Sequence, residues 1–361
     1  MTTGNIPAAT LTAWGEQVFG ALGCPAKEAS LIATNLVRAN LYGHDSHGIG
    51  LLPTYVAHVR SGHAAPGRTP RIVVDSGAMV GLDGDKGFGQ AIGESAMAIA
   101  IERAREHGCV VVGLANTHHL GRIGQWGERC ADAGFVSVHF VNVRSRPLVA
   151  PFGGSDARVS TNPVCVAVPH KPHALVLDYA TSAVALGKTR VAVDERKPMA
   201  DGLLLDREGR PTNDPSVMWG ERIGAILPFA QHKGWALSMM CEILAGGLTG
   251  GHVQDGATIH PMLNNMLSIV FDPARLVTAD ALAAEVERLK AWVCASPQPE
   301  GSAGIFLPGE PEQRTFALRS RQGIPLPSLT IESLASAASA LGVATRWKDS
   351  HDEREGVRVA R

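Results

Sequence analysis

Two histidine-bearing turns hold the side chains best suited to moving protons: Gly43-His44-Asp45-Ser46-His47-Gly48 and Asn116-Thr117-His118-His119-Leu120-Gly121-Arg122-Ile123-Gly124. Each follows a segment patterned as regular structure and runs into glycine, so the imidazoles are presented by loops on a rigid frame. An imidazole titrates near neutrality, so one side chain gives a proton in one direction of a reaction and takes it back in the other. Four histidines also raise a metal site. Neither turn, however, has the His-x-x-x-His spacing that sets two ligands on one helical face, and no HExxH, paired thiolates or carboxylate cluster accompanies them. Acid–base use without a metal is therefore expected, with a histidine-based metal hydrolase as the alternative from another class.

Between a strand pattern and a helix pattern lies Gly87-Phe88-Gly89-Gln90-Ala91-Ile92-Gly93, placed as a dinucleotide loop would be. Its spacing is GxGxxxG, not GxGxxG, and no acidic residue follows at a strand end to hold a ribose. A tight turn opening a helix is the expectation there, and the chain has no Walker loop.

The surrounding elements are legible from periodicity. Leu11, Trp14, Val18 and Leu22 mark one helical face, and Pro25 opens a second helix carrying Ala29, Ile32, Leu36 and Ala39, closed by Gly43. A third helix is expected from Leu52 to Arg60, ending at the Pro66-Gly67 region. Ile72–Val74, the turn Asp75-Ser76-Gly77 and Met79–Leu82 read as a hairpin. A helix over Gln90–His107, a buried strand Cys109–Leu114, a helix over Ile123–Ala133 and a strand Phe135–Val141 alternate as in an α/β sheet lobe. Short strands are expected at Val164–Val168 and Leu175–Leu177. Helices are expected over Ala236–Leu248, on the face Leu282, Val286, Leu289 and Val293, and on Ile331, Leu334, Ala338 and Leu341, before a loose charged tail from Arg346.

The 361 residues, 45% of them hydrophobic, suffice for a sizeable core. With 33 basic and 34 acidic residues and no basic block, neither a nucleic-acid nor an anionic-membrane partner is indicated. No apolar run approaches the roughly 20 residues of a membrane span, and no signal-peptide pattern opens the chain, so a cytoplasmic protein is expected. Cys24, Cys109, Cys130, Cys165, Cys241 and Cys294 stand singly, most of them expected as buried thiols.

Taken in order, several motifs resemble the type 2 malate/L-lactate dehydrogenase family of NAD(P)-dependent oxidoreductases over nearly the whole chain. They are Gly43–Ile49, His118-His119-Leu120-Gly121, Thr161-Asn162-Pro163, Asp178-Tyr179-Ala180-Thr181-Ser182, Gly187-Lys188, His232-Lys233-Gly234 and Leu307-Pro308-Gly309-Glu310. Within the family, the contexts Gly121-Arg122-Ile123-Gly124 and Gly309-Glu310 are similar to the hydroxycarboxylate dehydrogenase branch. The resemblance implies an α/β fold that is not Rossmann, with a mixed-sheet lobe (71–310) for nicotinamide cofactor and substrate. A mostly helical lobe would be built from both chain ends (1–70 with 311–361). It also implies a homodimer using NAD or NADP, with NAD favoured, on a small 2-oxo or 2-hydroxy acid. Ureidoglycolate dehydrogenase and cyclic imino acid reductase are the alternatives within the family.

The resemblance makes His47 the acid that protonates the carbonyl oxygen during hydride transfer, and the base in oxidation. Hydride addition builds alkoxide charge, which an imidazolium about 3 Å away stabilises and quenches. Ser46 and Asp178 are candidates to orient or charge it, and His119 is its rival, matching a position that some members use as proton acceptor. For the cofactor the resemblance implies His47, Gly121, Arg122, Ile123, Val176, Leu177, Asp178, Tyr179, Ala180, His232, Lys233, Asn264, Leu307, Pro308, Gly309 and Glu310. Glycine loops admit phosphates to backbone N–H groups, Arg122 can neutralise one, and Glu310 can accept from ribose hydroxyls. For the substrate it implies His44, Arg122 and Thr161. Many members carry an arginine four residues after the catalytic histidine, suited to gripping a carboxylate, where this chain has Leu51. Arg122, Arg144 and Arg146 are the guanidinium groups available instead, and Leu51 favours a bulkier or aromatic acid.

Overall fold

The computed structural model describes residues 2–256 and 262–347. Strand β1 (Thr2–Ile6) leads into helices α1 (Ala8–Ala21) and α2 (Ala26–Leu41). Leu11, Trp14 and Val18 recur at helical spacing and are buried, as are Ala29, Ile32, Leu36 and Ala39 on α2. Pro25 sits just before α2 with an extended ψ of 148° and is its N-cap rather than a first-turn residue. Gly43 ends α2 at φ +85°, a left-handed conformation open to glycine, and the chain tightens into one 3-10 turn, Asp45–His47. A second such turn, Ile49–Leu51, runs into α3 (Leu52–Arg60).

A hairpin of β2 (Arg71–Asp75) and β3 (Met79–Asp83) follows, then α4 (Gly89–His107), β4 (Cys109–His118), α5 (Gly124–Asp132), β5 (Val136–Arg144), β6 (Val164–Val168) and β7 (Leu175–Tyr179). Beyond these come α6 (Leu186–Glu195), β8 (Leu204–Leu205), β9 (Pro211–Thr212), β10 (Ala225–Ile226) and α7 (His232–Cys241), which passes into a π-helical turn at Glu242–Gly247. The remaining elements are β11 (Leu263–Phe271), α8 (Ala279–Cys294), α9 (Glu310–Gln322), β12 (Ile324–Pro327) and α10 (Ser328–Ser339).

Seven strands form one mixed sheet in the order β2-β3-β4-β11-β5-β6-β7, parallel between β3 and β4 and antiparallel elsewhere. Its centre is β11, a strand the periodicity did not disclose. Asn264, Asn265 and Ser268 interrupt its apolar run, yet all three are buried and most of its backbone is paired on both sides. β4 also runs further than expected, through His118, so Asn116, Thr117 and His118 belong to the strand and the turn begins at His119.

One apolar cluster packs α1–α3 against Ile324, Leu326, Ile331, Leu334 and Ala338 from the far end of the sequence. A second fills the sheet against α4 and α5, and a smaller one surrounds β8 and β10. The tail expected to be loose from Arg346 is anchored at its start, since Trp347 meets the Trp14 ring edge-on at 5.3 Å. The rest of that tail, 348–361, lies outside the described residues. Among the described residues no helix is long and apolar enough to cross a membrane.

Candidate active site

The first histidine turn is clamped from beneath. Asn40, buried at the end of α2, donates through Nδ2 to Asp45 Oδ1 (2.6 Å) and accepts at Oδ1 from the Ile49 backbone N–H (2.7 Å). Arg319 of α9 grips both Asp45 oxygens at 2.7 and 3.0 Å, and its Nη1 also donates to the Asn40 carbonyl. Gly48 lies flat on Asn40, where a Cβ would come within 2.2 Å of its amide oxygen. From the other side, Gly187 of α6 presses on Ser46, where a Cβ would stand 2.7 Å from Ser46 Cβ. Held in this way, His47 places Nδ1 3.0 Å from Ser46 Oγ.

The second turn rises from the end of β4. Asn264 Oδ1 accepts from the Leu120 backbone N–H at 2.8 Å and so holds the turn from the neighbouring strand. Gly89 begins α4 against it, where a Cβ would meet the His119 carbonyl at 2.2 Å, and Gly93 lies against Trp126. The glycines of the near-miss motif therefore serve close helix packing. His119 Nδ1 is 2.7 Å from the hydroxyl of Tyr55, which accepts from Gln90 Nε2 at 2.8 Å. His118 points the other way, with Nε2 2.9 Å from His58 Nδ1.

These elements bring His47 and His119 together, their rings stacked with centroids 5.5 Å apart and planes 21° from parallel. Burial, with repulsion from His44, lowers the pKa of His47 to about 4, although Asp178 acts to raise it. Burial and the neighbouring His47, His118 and His58 hold His119 well below its ordinary range. Both imidazoles are therefore neutral at neutral pH.

Beside the pair, a small crevice is lined by Arg122, Val176, Asp178 and Gly309, together with Glu128 and Glu312. Arg122 is 3% exposed, stacks on the Tyr42 ring at 4.3 Å and pairs with Glu128 at 2.6 Å. Burial opposes its charge, but Glu128 and Asp178 more than compensate. Asp178 Oδ2 accepts from the Gly124 backbone N–H at 2.7 Å, at the first residue of α5. Pro308 and Gly309 close the crevice: the Pro308 carbonyl accepts from Val176 N–H at 3.3 Å, and Gly309 turns at φ +90°.

The family profile of malate/L-lactate dehydrogenase matches residues 6–335. The chain belongs to the malate/L-lactate dehydrogenase family. It is 46% identical to hydroxycarboxylate dehydrogenase B of Escherichia coli over 93% of this chain and 94% of that protein. It is 41% identical to an L-lactate dehydrogenase of Cupriavidus necator over 84% of this chain and 88% of the relative. A solved malate/lactate dehydrogenase structure from E. coli superposes with a TM-score of 0.92 at 44% identity, covering 97% of this chain and 99% of that one. Membership makes the chain a dehydrogenase of the 2-hydroxy acid class, to which malate and lactate belong.

The dehydrogenases of this family use a nicotinamide cofactor, and the crevice suits its sugar hydroxyls and carboxamide better than a phosphate. Acceptors from Asp178 and Glu312 stand beside Arg122, whose Nε is buried with no hydrogen-bond partner among the described residues. Arg122's charge is already taken up by Glu128, so a phosphate there would meet carboxylates. Ile123 is buried in the sheet cluster, and Gly121 turns at φ +75° against Asn35. Glu310 accepts at Oε2 from the Leu307 N–H at 3.0 Å, bracing its own loop. Tyr179 packs its ring against Phe229 at 5.3 Å, and Leu177 and Ala180 flank it on β7 and just beyond.

Other expected residues lie outside the crevice. His232 and Lys233 are exposed at the start of α7, with His232 against Phe152 at 5.9 Å. The Thr161 carbonyl accepts from Thr181 N–H at 2.9 Å. His44 Nε2 faces Glu312 Oε1 at 3.7 Å, and this contact holds the Glu312 carboxyl below its ordinary pKa. Leu51 packs against the helical cluster. Arg146 is spent on the Gly220 and Glu221 carbonyls, whereas Arg144 makes one hydrogen bond among the described residues, to the Gly251 carbonyl at 3.2 Å. Arg144 pairs across β11 with Leu263, which pairs in turn with His118. Tyr55, Glu128, Asn40 and Arg319 belong to no motif, and Gln90 and Asp45, although they lie inside quoted motifs, have no role that sequence spacing discloses.

Proposed function

We propose that the protein interconverts a small 2-oxo acid and its 2-hydroxy acid with NAD or NADP, NAD being the first to test, and that His47 carries the proton. When bound, the nicotinamide ring supplies hydride for reduction and accepts it in oxidation. Asp178, Arg122 and the Gly309 backbone would hold its sugar and carboxamide groups. The observation that carries this reading is the stacked His47–His119 pair, assembled from separate elements beside the Arg122–Asp178 crevice.

His47 rests neutral, so its Nε2, with Nδ1 engaged by Ser46, suits the proton of a 2-hydroxy acid. In the other direction a bound substrate carboxylate raises its pKa and readies it as an acid. Arg144 is the guanidinium left to anchor that carboxylate, in place of the arginine replaced by Leu51. Burial of Cys24, Cys130, Cys165 and Cys241 as free thiols suits a cytosolic enzyme. Exposed Met239, Met240, Ile243 and Leu248 support pairing as a homodimer. Among the described residues, the apolar clusters support the division into a helical lobe (1–70 with 311–361) and a sheet lobe (71–310), the first cluster ending at Trp347.

The test is turnover of His47→Asn and His119→Asn with each reduced cofactor over a panel of pyruvate-, glyoxylate- and phenylpyruvate-like acids. Loss of general acid–base catalysis costs about 10²–10⁴ in kcat, and that loss is expected for His47→Asn. Near-normal turnover in that variant, beside a dead His119→Asn, would reverse the assignment.

A further inference from the structure

Resting on the reading of the stacked histidines as the dehydrogenase centre, we propose that Gln90 and Tyr55 are positioning residues that lock His119 with its proton on Nε2. His119 is thereby a hydrogen-bond donor to the developing alkoxide, and the proton acceptor is His47.

The geometry is a short chain of three polar groups with a direction. Gln90 Nε2 donates to the Tyr55 oxygen at 2.8 Å, and a Tyr55 hydroxyl that accepts there has its single proton for the other partner, His119 Nδ1 at 2.7 Å. Tyr55 is fully buried and Gln90 is 1% exposed, so water does not compete for either group. A neutral imidazole that accepts at Nδ1 carries its hydrogen at Nε2. The ring is then a fixed donor with no lone pair left to offer. His47 differs, because its Nδ1 partner is the Ser46 hydroxyl, which rotates to donate or accept and leaves both tautomers open. Two neutral histidines in stacked contact thus have separate tasks, set by what lies behind each ring. A donor aimed where negative charge develops is worth about 10²–10³ in kcat.

The experiment is histidine-selective 15N labelling with two-bond 1H–15N correlation spectra at neutral pH, the His119 signals being identified by their loss in His119→Asn. The expected spectrum has a protonated Nε2 and an unprotonated, hydrogen-bonded Nδ1 at His119. In Gln90→Glu, recorded at alkaline pH where the introduced carboxyl is ionised, the chain must run backwards. The carboxylate only accepts, the Tyr55 hydroxyl turns to it, and His119 Nδ1 becomes the donor. That inversion should be accompanied by a loss of about 10²-fold in kcat with KM changed far less. Tyr55→Phe should lose turnover without inverting the ring, which supplies the readout if the first variant fails to fold. A wild-type His119 with its proton on Nδ1, or a Gln90→Glu protein with unchanged tautomer and turnover, overturns the assignment. Neither spectrum depends on activity, so such a result leaves the dehydrogenase reading standing, whereas an enzyme inert toward every 2-hydroxy acid would sink that reading alone.

Discussion

A histidine whose pKa is lowered to about 4 makes the two directions of the reaction respond differently to acidity. The base in oxidation is the neutral ring, so kcat/KM for the 2-hydroxy acid should stay level down to about pH 5 as far as His47 is concerned. Reduction needs the protonated ring, whose share in the free enzyme falls about tenfold per pH unit above its pKa. Its kcat/KM should therefore fall steadily from mildly acid to alkaline pH, and initial rates across a buffer series check both slopes. Arg122 supplies a second prediction. Lysine keeps the charge but loses the planar stack on Tyr42 and the fork facing Glu128. Arg122→Lys should weaken cofactor binding by about tenfold, roughly 1.4 kcal/mol, in a fluorescence titration of the reduced nucleotide. An unchanged dissociation constant would remove Arg122 from the cofactor site.

The elements matter through how closely they approach. A methyl group on Gly187 must displace Ser46, and overpacking of this kind costs about 1–3 kcal/mol. Gly187→Ala should cut turnover by about tenfold or more. Gly20→Ala is the matched control on α1, where the new Cβ meets nothing within 4 Å. It should raise stability by about 0.5–1 kcal/mol with turnover unchanged, since Gly interrupts a helix at that cost. Equal effects of the two changes on kcat would refute the contact. Helices with one wet face were legible from sequence because their apolar residues return every turn, as on α1, α2 and α4. The histidine turns were legible because glycine brackets them. The central strand β11 was not, since Asn264, Asn265 and Ser268 are buried polar groups satisfied by partners far along the chain, such as the Leu120 and Asn116 backbone amides. The Gln90–Tyr55 support of His119 was hidden for the same reason, its members being 35 residues apart and on different helices.

For the molecule as a whole, buried imidazoles set the response to acid. Burial lowers His118 and His139 to about 3 and His47 to about 4, from an ordinary value of 6.5. The folded protein thus refuses protons that the unfolded chain accepts. Stability from these groups is complete above 6.5 and drains away as the pH falls toward the folded values. Urea midpoints should accordingly drop between about pH 7 and about pH 5. His139 lies inside the sheet between Ser137 and Ser268, at 3.0 and 2.8 Å, so His139→Gln should flatten that slope without touching the reaction centre. A slope unaltered in that variant would place the acid sensitivity elsewhere.

The grip of Arg319 on Asp45 spans 274 positions of sequence. During synthesis the His47 imidazole emerges well before the guanidinium that steadies its loop, which leaves the ribosome only after every strand of the central sheet has been made. Nascent fragments would carry the reactive ring without its fastening, and enzymatic competence would arrive late and all at once.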